Sequence, residues 1–173
     1  MLGSGIPEFT AVLRTARPVY RMTRAVATAV RPHPVRLALA RGPILGGLDT
    51  RDAEAMDGPA FDLAGELLYR ARKEDRLLVV HTGDTTFDTL FNSLLLLLTR
   101  HVDQWSDRQW EVVEAYRRLG RQNRVAEELA ISQQSVSATL ASAGWRTVRD
   151  VERSLDRVLA GVPEAPLPQR LSV

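Results

Sequence analysis

The chain has 173 residues, enough for one compact domain or two small ones, and a hydrophobic content of 45% that is typical of a globular protein. It has no cysteine, which excludes disulfides, thiolate metal sites and a cysteine nucleophile and fits the reducing cytoplasm, where we expect the protein. The net charge of +2 does not indicate a general affinity for nucleic acid. The longest apolar run, Leu94–Leu98, is much shorter than the about 20 apolar residues that a membrane-spanning segment needs.

The first predicted element is a helix over Thr15–Val30. Residues 1–7 are glycine-rich and show no periodicity, so they are left out of the fold prediction. Apolar residues of the helix recur at the spacing of one face and are expected to point inward: Val19, Met22, Val26 and Val30. A proline-containing stretch then ends the helix.

Two strands and a helix follow in an α+β unit that we predict over residues 8–104. Val35–Ile44 alternates in part between apolar and polar residues, which predicts a strand, and the almost entirely apolar Arg76–His81 predicts a second, buried strand. Between them, Gly58 suits a turn and Pro59 suits the first position of a helix, where its missing N–H would be unpaired anyway. Asp57 is expected to cap that helix.

A long helix closes this unit, capped by Thr85 or Thr86 and ending near Gln104. Its apolar surface is wider than a single face requires, which either core packing or a dimer interface explains. We expect a homodimer, because one small domain does not readily cover such a surface. The residues assigned to the interface are Phe87, Leu90, Leu94, Leu97 and Leu98.

The second half, predicted over residues 105–161, is entirely helical. Ser106 and Gln109 have the spacing of a capping box, which starts a helix that Gly120 ends. Three more helices are predicted over Asn123–Leu129, Gln133–Ala143 and Thr147–Leu159. The proline-rich residues 162–173 are expected to form a flexible tail.

The segment RVAEELAISQQSVSATL has the pattern of a helix-turn-helix. Ala126 is the small residue that lets the second helix pack closely on the first, and Ser132 can cap the second helix. The shared core is expected to consist of Val125, Leu129, Ile131, Val136 and Leu140. Ala130 stands where glycine is usual, and it would need a less favourable or slightly different backbone there. An ordinary three-helix packing unit is the alternative to a DNA reader.

The outer face of the second helix has no charged residue, whereas an ordinary surface helix usually has Glu and Lys. Its polar side chains match the donors and acceptors of base edges, and a small alanine can approach a thymine methyl group. The base-contacting candidates are Gln133, Gln134, Ser135, Ser137 and Ala138. The phosphate-contacting candidates around them are Arg118, Arg121, Arg124, Thr139 and Arg146. Glu127 and Glu128 oppose phosphate binding unless they point away.

Candidate catalytic and metal sites are weaker. His33, His81 and His101 lie far apart in sequence and lack the spacing of metal ligands. Gly83 and Asp84 follow a strand, as in a phosphate-binding loop, but are more typical of a turn. No nucleophile, base and orienting residue can be assigned. We therefore expect no enzyme activity, no metal and no cofactor.

Four stretches, RLALARGPI, MDGPAFDLA, SDRQWEVVEAY and AEELAISQQSVSATL, resemble the SatD-like family over residues 8–159. The resemblance implies an α+β domain distantly similar to nucleotide-cyclase or GGDEF-type ferredoxin-like domains, followed by DNA-binding-like helices. Family members usually begin with a strand that contains Gly-Asp and later have Gly-Asp-Glu-Phe-Gln. Here the first motif is absent, and only Pro7, Glu8 and Phe9 stand where the second would be. Either the N-terminus is truncated or the metal-binding chemistry is lost, and the missing strand leaves an open sheet edge.

The expected fold is a truncated ferredoxin-like α/β unit followed by an all-α helix-turn-helix domain. The expected function is that of a sequence-specific DNA-binding protein, a prokaryotic transcriptional regulator that acts as a dimer on double-stranded DNA. The alternative is a degenerate nucleotide-sensing or protein-interaction scaffold that does not bind DNA. A small-molecule effector is compatible with both, and no membrane partner is expected.

Overall fold

The computed structural model describes residues 8–47, 50 and 52–164, which form an α+β fold that is mostly helical. The elements in chain order are α1 (Val19–Ala29), β1 (Leu37–Ala40), α2 (Pro59–Lys73), β2 (Leu78–His81), α3 (Thr85–Val102), α4 (Asp107–Leu119), α5 (Gln122–Glu128), α6 (Gln133–Ser142) and α7 (Trp145–Ala160). This confirms the predicted α+β class and each predicted helix and strand in outline. No helix among the described residues is both long enough and apolar enough to cross a bilayer. Of the predicted tail, residues 165–173 lie outside the described residues.

The sheet has two parallel strands joined by α2. The register pairs Leu37 with Leu78 and Ala40 with His81. Side chains alternate across each strand, so the two faces of the sheet have different partners. Ala38, Ala40 and Val79 pack against Leu67 and Ala71 of α2. On the opposite face, Leu37, Leu39, Leu78 and Val80 pack into the main core, which includes Phe91 and Leu95 of α3.

The structure does not confirm the ferredoxin-like arrangement. That fold has an antiparallel sheet with its helices on one face. The described residues instead form two parallel strands with helices on both faces, the layering that a strand–helix–strand crossover produces.

The two outer edges of the sheet differ. On β2, the Asn92 side chain of α3 accepts a hydrogen bond from the Val80 N–H at 2.9 Å and donates one to the Val80 carbonyl at 2.8 Å. The Asp88 carboxylate accepts from the Thr82 N–H at 2.8 Å. On this edge, a side chain thus occupies the backbone groups of Val80 that a neighbouring strand would otherwise bind. On β1, Ala38 and Ala40 direct their backbone groups outward, and no other described residue forms a hydrogen bond with them.

The orientation of α1 differs from the prediction. Its buried residues are Val19, Tyr20 and Thr23, whereas Met22, Val26 and Val30 are exposed. The face that points inward packs Val19 and Tyr20 into the main core, where the Tyr20 hydroxyl donates a hydrogen bond to the buried Glu152 carboxylate of α7 at 3.0 Å. Contacts with residues distant in sequence thus accompany the orientation that local periodicity did not predict.

Other corrections concern α2 and α3. The N-cap of α2 is Gly58, without a side-chain capping bond, and Asp57 instead pairs through its backbone with Gly46. Helix α3 is capped by Asp84, whose carboxylate accepts from the Phe87 N–H at 2.9 Å, and not by Thr85 or Thr86. The predicted boundary at residues 104 and 105 falls in the turn between α3 and α4, but a single hydrophobic cluster extends across it from α1 to α7.

Candidate nucleic-acid interface

The helices α4, α5 and α6 pack against one another around a small apolar core. The predicted capping box is present, because the Ser106 hydroxyl accepts from the Gln109 N–H and the Gln109 amide oxygen accepts from the Ser106 N–H. Val125 of α5 and Val136 of α6 are fully buried, and Leu140 is nearly so. The three other predicted core residues, Ala126, Leu129 and Ile131, pack against them with partial exposure. Burial of Val136 and Leu140 fixes which face of α6 points outward.

The turn between α5 and α6 has the hydrogen bonds of a Schellman motif. The Ile131 N–H donates to the Ala126 carbonyl at 3.0 Å, and the Ala130 N–H donates to the Glu127 carbonyl at 3.4 Å. Ala130 has φ of +51°, the left-handed conformation that glycine usually provides at this position. The predicted unfavourable backbone at Ala130 is thereby confirmed.

Both ends of α6 are fixed by side chains. At its start, the Ser132 hydroxyl accepts from the Ser135 N–H at 3.1 Å, as predicted. Past its end, the Trp105 indole N–H donates to the Ala143 carbonyl at 2.9 Å, and Nε2 of His101 lies 3.1 Å from the same oxygen. The prediction missed this second anchor, because nothing in the local pattern connects α3 with the end of α6.

The predicted base-contacting residues lie together on one surface. Gln133, Gln134, Ser135, Ser137 and Ala138 are all exposed. We call these five residues the α6 polar face. Helix α6 has no charged residue along its length. Thr139 is half-buried at the margin of this face, and the Ser135 hydroxyl is 2.8 Å from that of Ser132.

The predicted phosphate-contacting arginines fall into two groups. Arg121 immediately precedes α5, and Arg146 is the second residue of α7. Both are exposed and form no ion pair with another described residue. Arg124 is 3.7 Å from Glu127, a long pair between two well-exposed side chains. Such pairs contribute little, so Arg124 can exchange its partner.

Arg118 is held by Glu128. Its two terminal nitrogens donate to the two carboxylate oxygens of Glu128 at 2.8 and 2.5 Å. This bidentate bond raises the pKa of Arg118 and lowers that of Glu128. Arg118 would therefore have to leave Glu128 in order to bind a phosphate, and the structure does not place it as a free cation.

The carboxyl end of the sheet brings His81 and Asp88 together. Nδ1 of His81 is 3.1 Å from the Asp88 carboxylate, which is buried and also accepts from the Thr82 hydroxyl. Gly83 follows in a left-handed turn, with open space around it. Within the described part of the chain, no group of three or more His, Asp or Glu side chains is placed to hold a metal ion.

Comparison with known proteins gives one relationship. No curated protein and no solved structure matches the chain. The sequence model of the SatD family matches residues 4–154, which is most of the chain's length. The chain therefore belongs to the SatD family.

Proposed function

We propose that this protein binds DNA sequence-specifically as a transcriptional regulator, with α6 in the major groove. The observation that carries the proposal is the α6 polar face, which is exposed, uncharged and held outward by the burial of Val136 and Leu140. A helix that only covers a core usually has charged residues on its outer face, because they increase the solubility of the protein. Amide, hydroxyl and methyl groups are instead what base edges recognise.

The roles follow from the chemistry of each side chain. Gln133 and Gln134 can each pair with adenine through one donor and one acceptor. Ser135 and Ser137 can donate to or accept from any base, and the Ala138 methyl group can contact the methyl group of thymine. Phosphate binding is assigned first to Arg121 and Arg146. Arg124 is the next candidate, once it releases Glu127 and binds a phosphate instead. The margin position of Thr139 suits a phosphate contact by its hydroxyl.

Dimer formation is part of the proposal, because a second copy doubles the DNA contact. Leu90, Leu94 and Leu97 of α3 are exposed to 66, 38 and 70% and form a stripe along one face, which we call the α3 stripe. Two copies of α3 packed antiparallel would bury both stripes. That arrangement also brings the acidic start of one helix, at Asp84, towards the basic end of the other, at Arg100 of the partner subunit.

The experiment starts from a duplex site selected from a random pool, with binding followed by fluorescence anisotropy at several salt concentrations. Gln134→Ala should lose about 1–3 kcal/mol of discrimination between the selected site and one with a substituted base pair, while non-specific binding persists. Arg121→Ala should weaken binding to all duplexes alike and reduce the salt slope by roughly one unit.

The control is Arg157→Ala, which also removes one positive charge but lies towards the far end of α7 from α6. It should leave the affinity and the salt slope nearly unchanged. If no sequence is enriched from the pool, or if Gln134→Ala and Arg121→Ala bind like the control, α6 does not read DNA. The scaffold alternative would then take the place of this proposal.

A further inference from the structure

A cavity of about 310 Å³ lies where the α+β half meets the helical half. Its walls come from α1, the segment 31–36, the end of α3 and the outer part of α4, with Glu152 of α7 at one side. Leu98, Val102 and Trp110 supply an apolar part. The volume is at the lower end of the range of ligand sites, about 300–1,000 Å³, and suits a small molecule.

The charges that line this cavity balance. Four arginines and four carboxylates contribute, namely Arg24, Arg31, Arg36, Arg117, Asp75, Asp103, Glu114 and Glu152. A wall without net charge does not favour a polyanion such as a nucleotide. It favours a ligand that has one charge of each sign or none.

Two of these pairs are complete within the protein. Arg117 donates to both oxygens of Glu152 at 2.6 and 2.8 Å, and Arg36 is bonded to Asp75. Both pairs satisfy their charges without a ligand.

Of the remaining charged groups, Glu114 also has a partner, because one of its carboxylate oxygens is 3.0 Å from Nε of Arg117. The other three, Arg24, Arg31 and Asp103, have distant partners or none among the described residues. Arg24 is 3.8 Å from Glu114, which is longer than a hydrogen bond. Arg31 is 3.5 Å from Asp107, whose carboxylate is fully exposed to water. The Asp103 carboxylate forms no hydrogen bond or ion pair with another described residue, and the residue is exposed to solvent. Partial desolvation is the main cause that raises its pKa. The cavity thus has two arginines and one solvent-exposed carboxylate that a ligand could contact in place of water.

The Arg31 guanidinium lies over the Trp110 ring, with its central carbon 4.1 Å from the ring centre. An arginine in such a cation–π contact can still donate from its terminal nitrogens, one of which is 3.5 Å from Asp107 here. A carboxylate that lies in the plane of the guanidinium can accept two parallel hydrogen bonds.

We propose that this cavity binds a small zwitterion of the α-amino-acid class. Its carboxylate binds Arg31, with support from Arg24, and its ammonium group binds Asp103. Its side chain is apolar or aromatic and packs against Leu98, Val102 and the Trp110 ring. The inference uses no property of α6 and does not depend on DNA binding.

The test measures the thermal unfolding of the full chain with each of the twenty standard L-amino acids, with AMP and with inorganic phosphate. At least one apolar or aromatic amino acid should raise the Tm, by about 5–10 °C at a concentration 100 times its Kd. It should also change the tryptophan fluorescence, and Trp110→Phe should remove most of that change. The carboxylic acid that lacks only the amino group should bind at least 10-fold more weakly.

Two variants separate the ligand contacts. Arg31→Gln and Asp103→Asn should each weaken binding by 10-fold or more, and Asp103→Asn should abolish the preference for the amino group. Arg157→Gln, outside the cavity, is the matched control and should bind normally. Circular dichroism and the Tm without ligand verify that each variant is folded. No response to any amino acid, a response to AMP or phosphate instead, or normal binding by both variants would overturn the proposal.

Discussion

Ala130 has a left-handed backbone that costs an alanine about 1–2 kcal/mol, because its Cβ approaches the following carbonyl oxygen. Glycine has no such cost, but it also makes the unfolded chain more flexible, and this offsets about 0.4–1 kcal/mol of the stability gained by relieving the strain. The strain lies in the turn that sets α6 against α5, and the two hydrogen bonds of the turn hold it there.

Ala130→Gly should therefore stabilise the protein by about 0.5–1 kcal/mol. Urea unfolding followed by circular dichroism measures the change as a higher midpoint with an unchanged slope. The comparison variant is Ala126→Gly, in the regular part of α5, which should destabilise by about 1 kcal/mol or more. If both glycines change stability in the same direction, the left-handed geometry at Ala130 is wrong.

Single residues show what sequence can predict locally. Ser106 and Ser132 were predictable as caps because the capped N–H belongs to a residue only three positions away. Asp84, Thr85 and Thr86 are three consecutive residues that can all cap a helix, and the sequence does not indicate that the extended backbone ends at Asp84, with Thr85 already in the helix. Asp57 failed as a cap because its backbone is engaged with Gly46, which the sequence does not indicate.

At the scale of the element, α3 shows why a run of leucines does not define a surface. The five residues predicted to form the dimer interface divide between two environments. Leu98 is buried, and Phe87 is half-buried and stacks on Phe91, so both belong to the core. Only the α3 stripe remains exposed, and an all-leucine run has no polar residue that could have marked which face points outward.

The proposed dimer predicts the effect of a charge within the α3 stripe. The wild-type chain should be a dimer at micromolar concentration by light scattering coupled to size exclusion, and Leu94→Glu should shift it to a monomer because the carboxylate would be buried. Leu45→Glu, at an exposed leucine in the loop after β1, is the control and should remain dimeric. A wild-type monomer at this concentration would end the dimer proposal without affecting the monomeric fold.

Helix α6 was better predicted than α3. The alternation of Val136 and Leu140 with polar residues defines one buried and one exposed side, so the whole α6 polar face could be named from sequence. The sequence could not show which of the surrounding arginines are free to bind a phosphate. Arg118 and Glu128 are ten residues apart on different helices, and their pairing depends on how α4 and α5 cross.

At the scale of the whole molecule, one buried polar cluster joins three helices. Glu152 of α7 accepts from Tyr20 of α1 and from Arg117 of α4. All three side chains are partly or fully buried, and Glu152 is the acceptor that the other two share, so its loss would leave the Tyr20 hydroxyl without this partner and Arg117 with Glu114 alone. Together with the continuous core, this cluster indicates that the two halves of the chain unfold together.

Tyr20 predicts a loss of stability in alkali. Burial first, and then the charge of Glu152, raise the pKa of Tyr20 above its ordinary value of 10.0. The unfolded chain therefore releases this proton near pH 10 while the folded chain keeps it. The contribution is fully present below pH 10 and is lost as the pH rises above it.

Urea unfolding between pH 8 and pH 11 measures this dependence. Tyr20→Phe should be less stable at neutral pH by about 1.5–3 kcal/mol, since it loses a hydrogen bond to a charged group, and its stability should fall less steeply above pH 10. Tyr69→Phe, at an exposed tyrosine, should retain the wild-type profile. Equal slopes for Tyr20→Phe and wild type would show that the Tyr20 proton is not held by folding.

The general plan of an α+β half followed by helices was predictable, because hydrophobic periodicity changes from strand-like to helical along the chain. The parallel sheet with helices on both faces was not. A four-residue strand pattern indicates that a strand exists but does not indicate its neighbour or the layer that covers it. The Tyr20–Glu152 contact likewise joins residues that no local pattern relates.

The Asn92 amide has a consequence for how molecules of this protein can associate through their sheets. Among the described residues, Asn92 occupies the outward backbone groups of Val80 on β2, whereas Ala38 and Ala40 of β1 form no such bond, so β1 is the more open edge. A protein with two free edges can add copies at both ends and grow into a fibre. In a protein with one free edge, that edge is occupied as soon as it pairs with the edge of a second copy. Edge-to-edge addition through the described part of this sheet is therefore expected to favour a closed pair at β1 over a fibre.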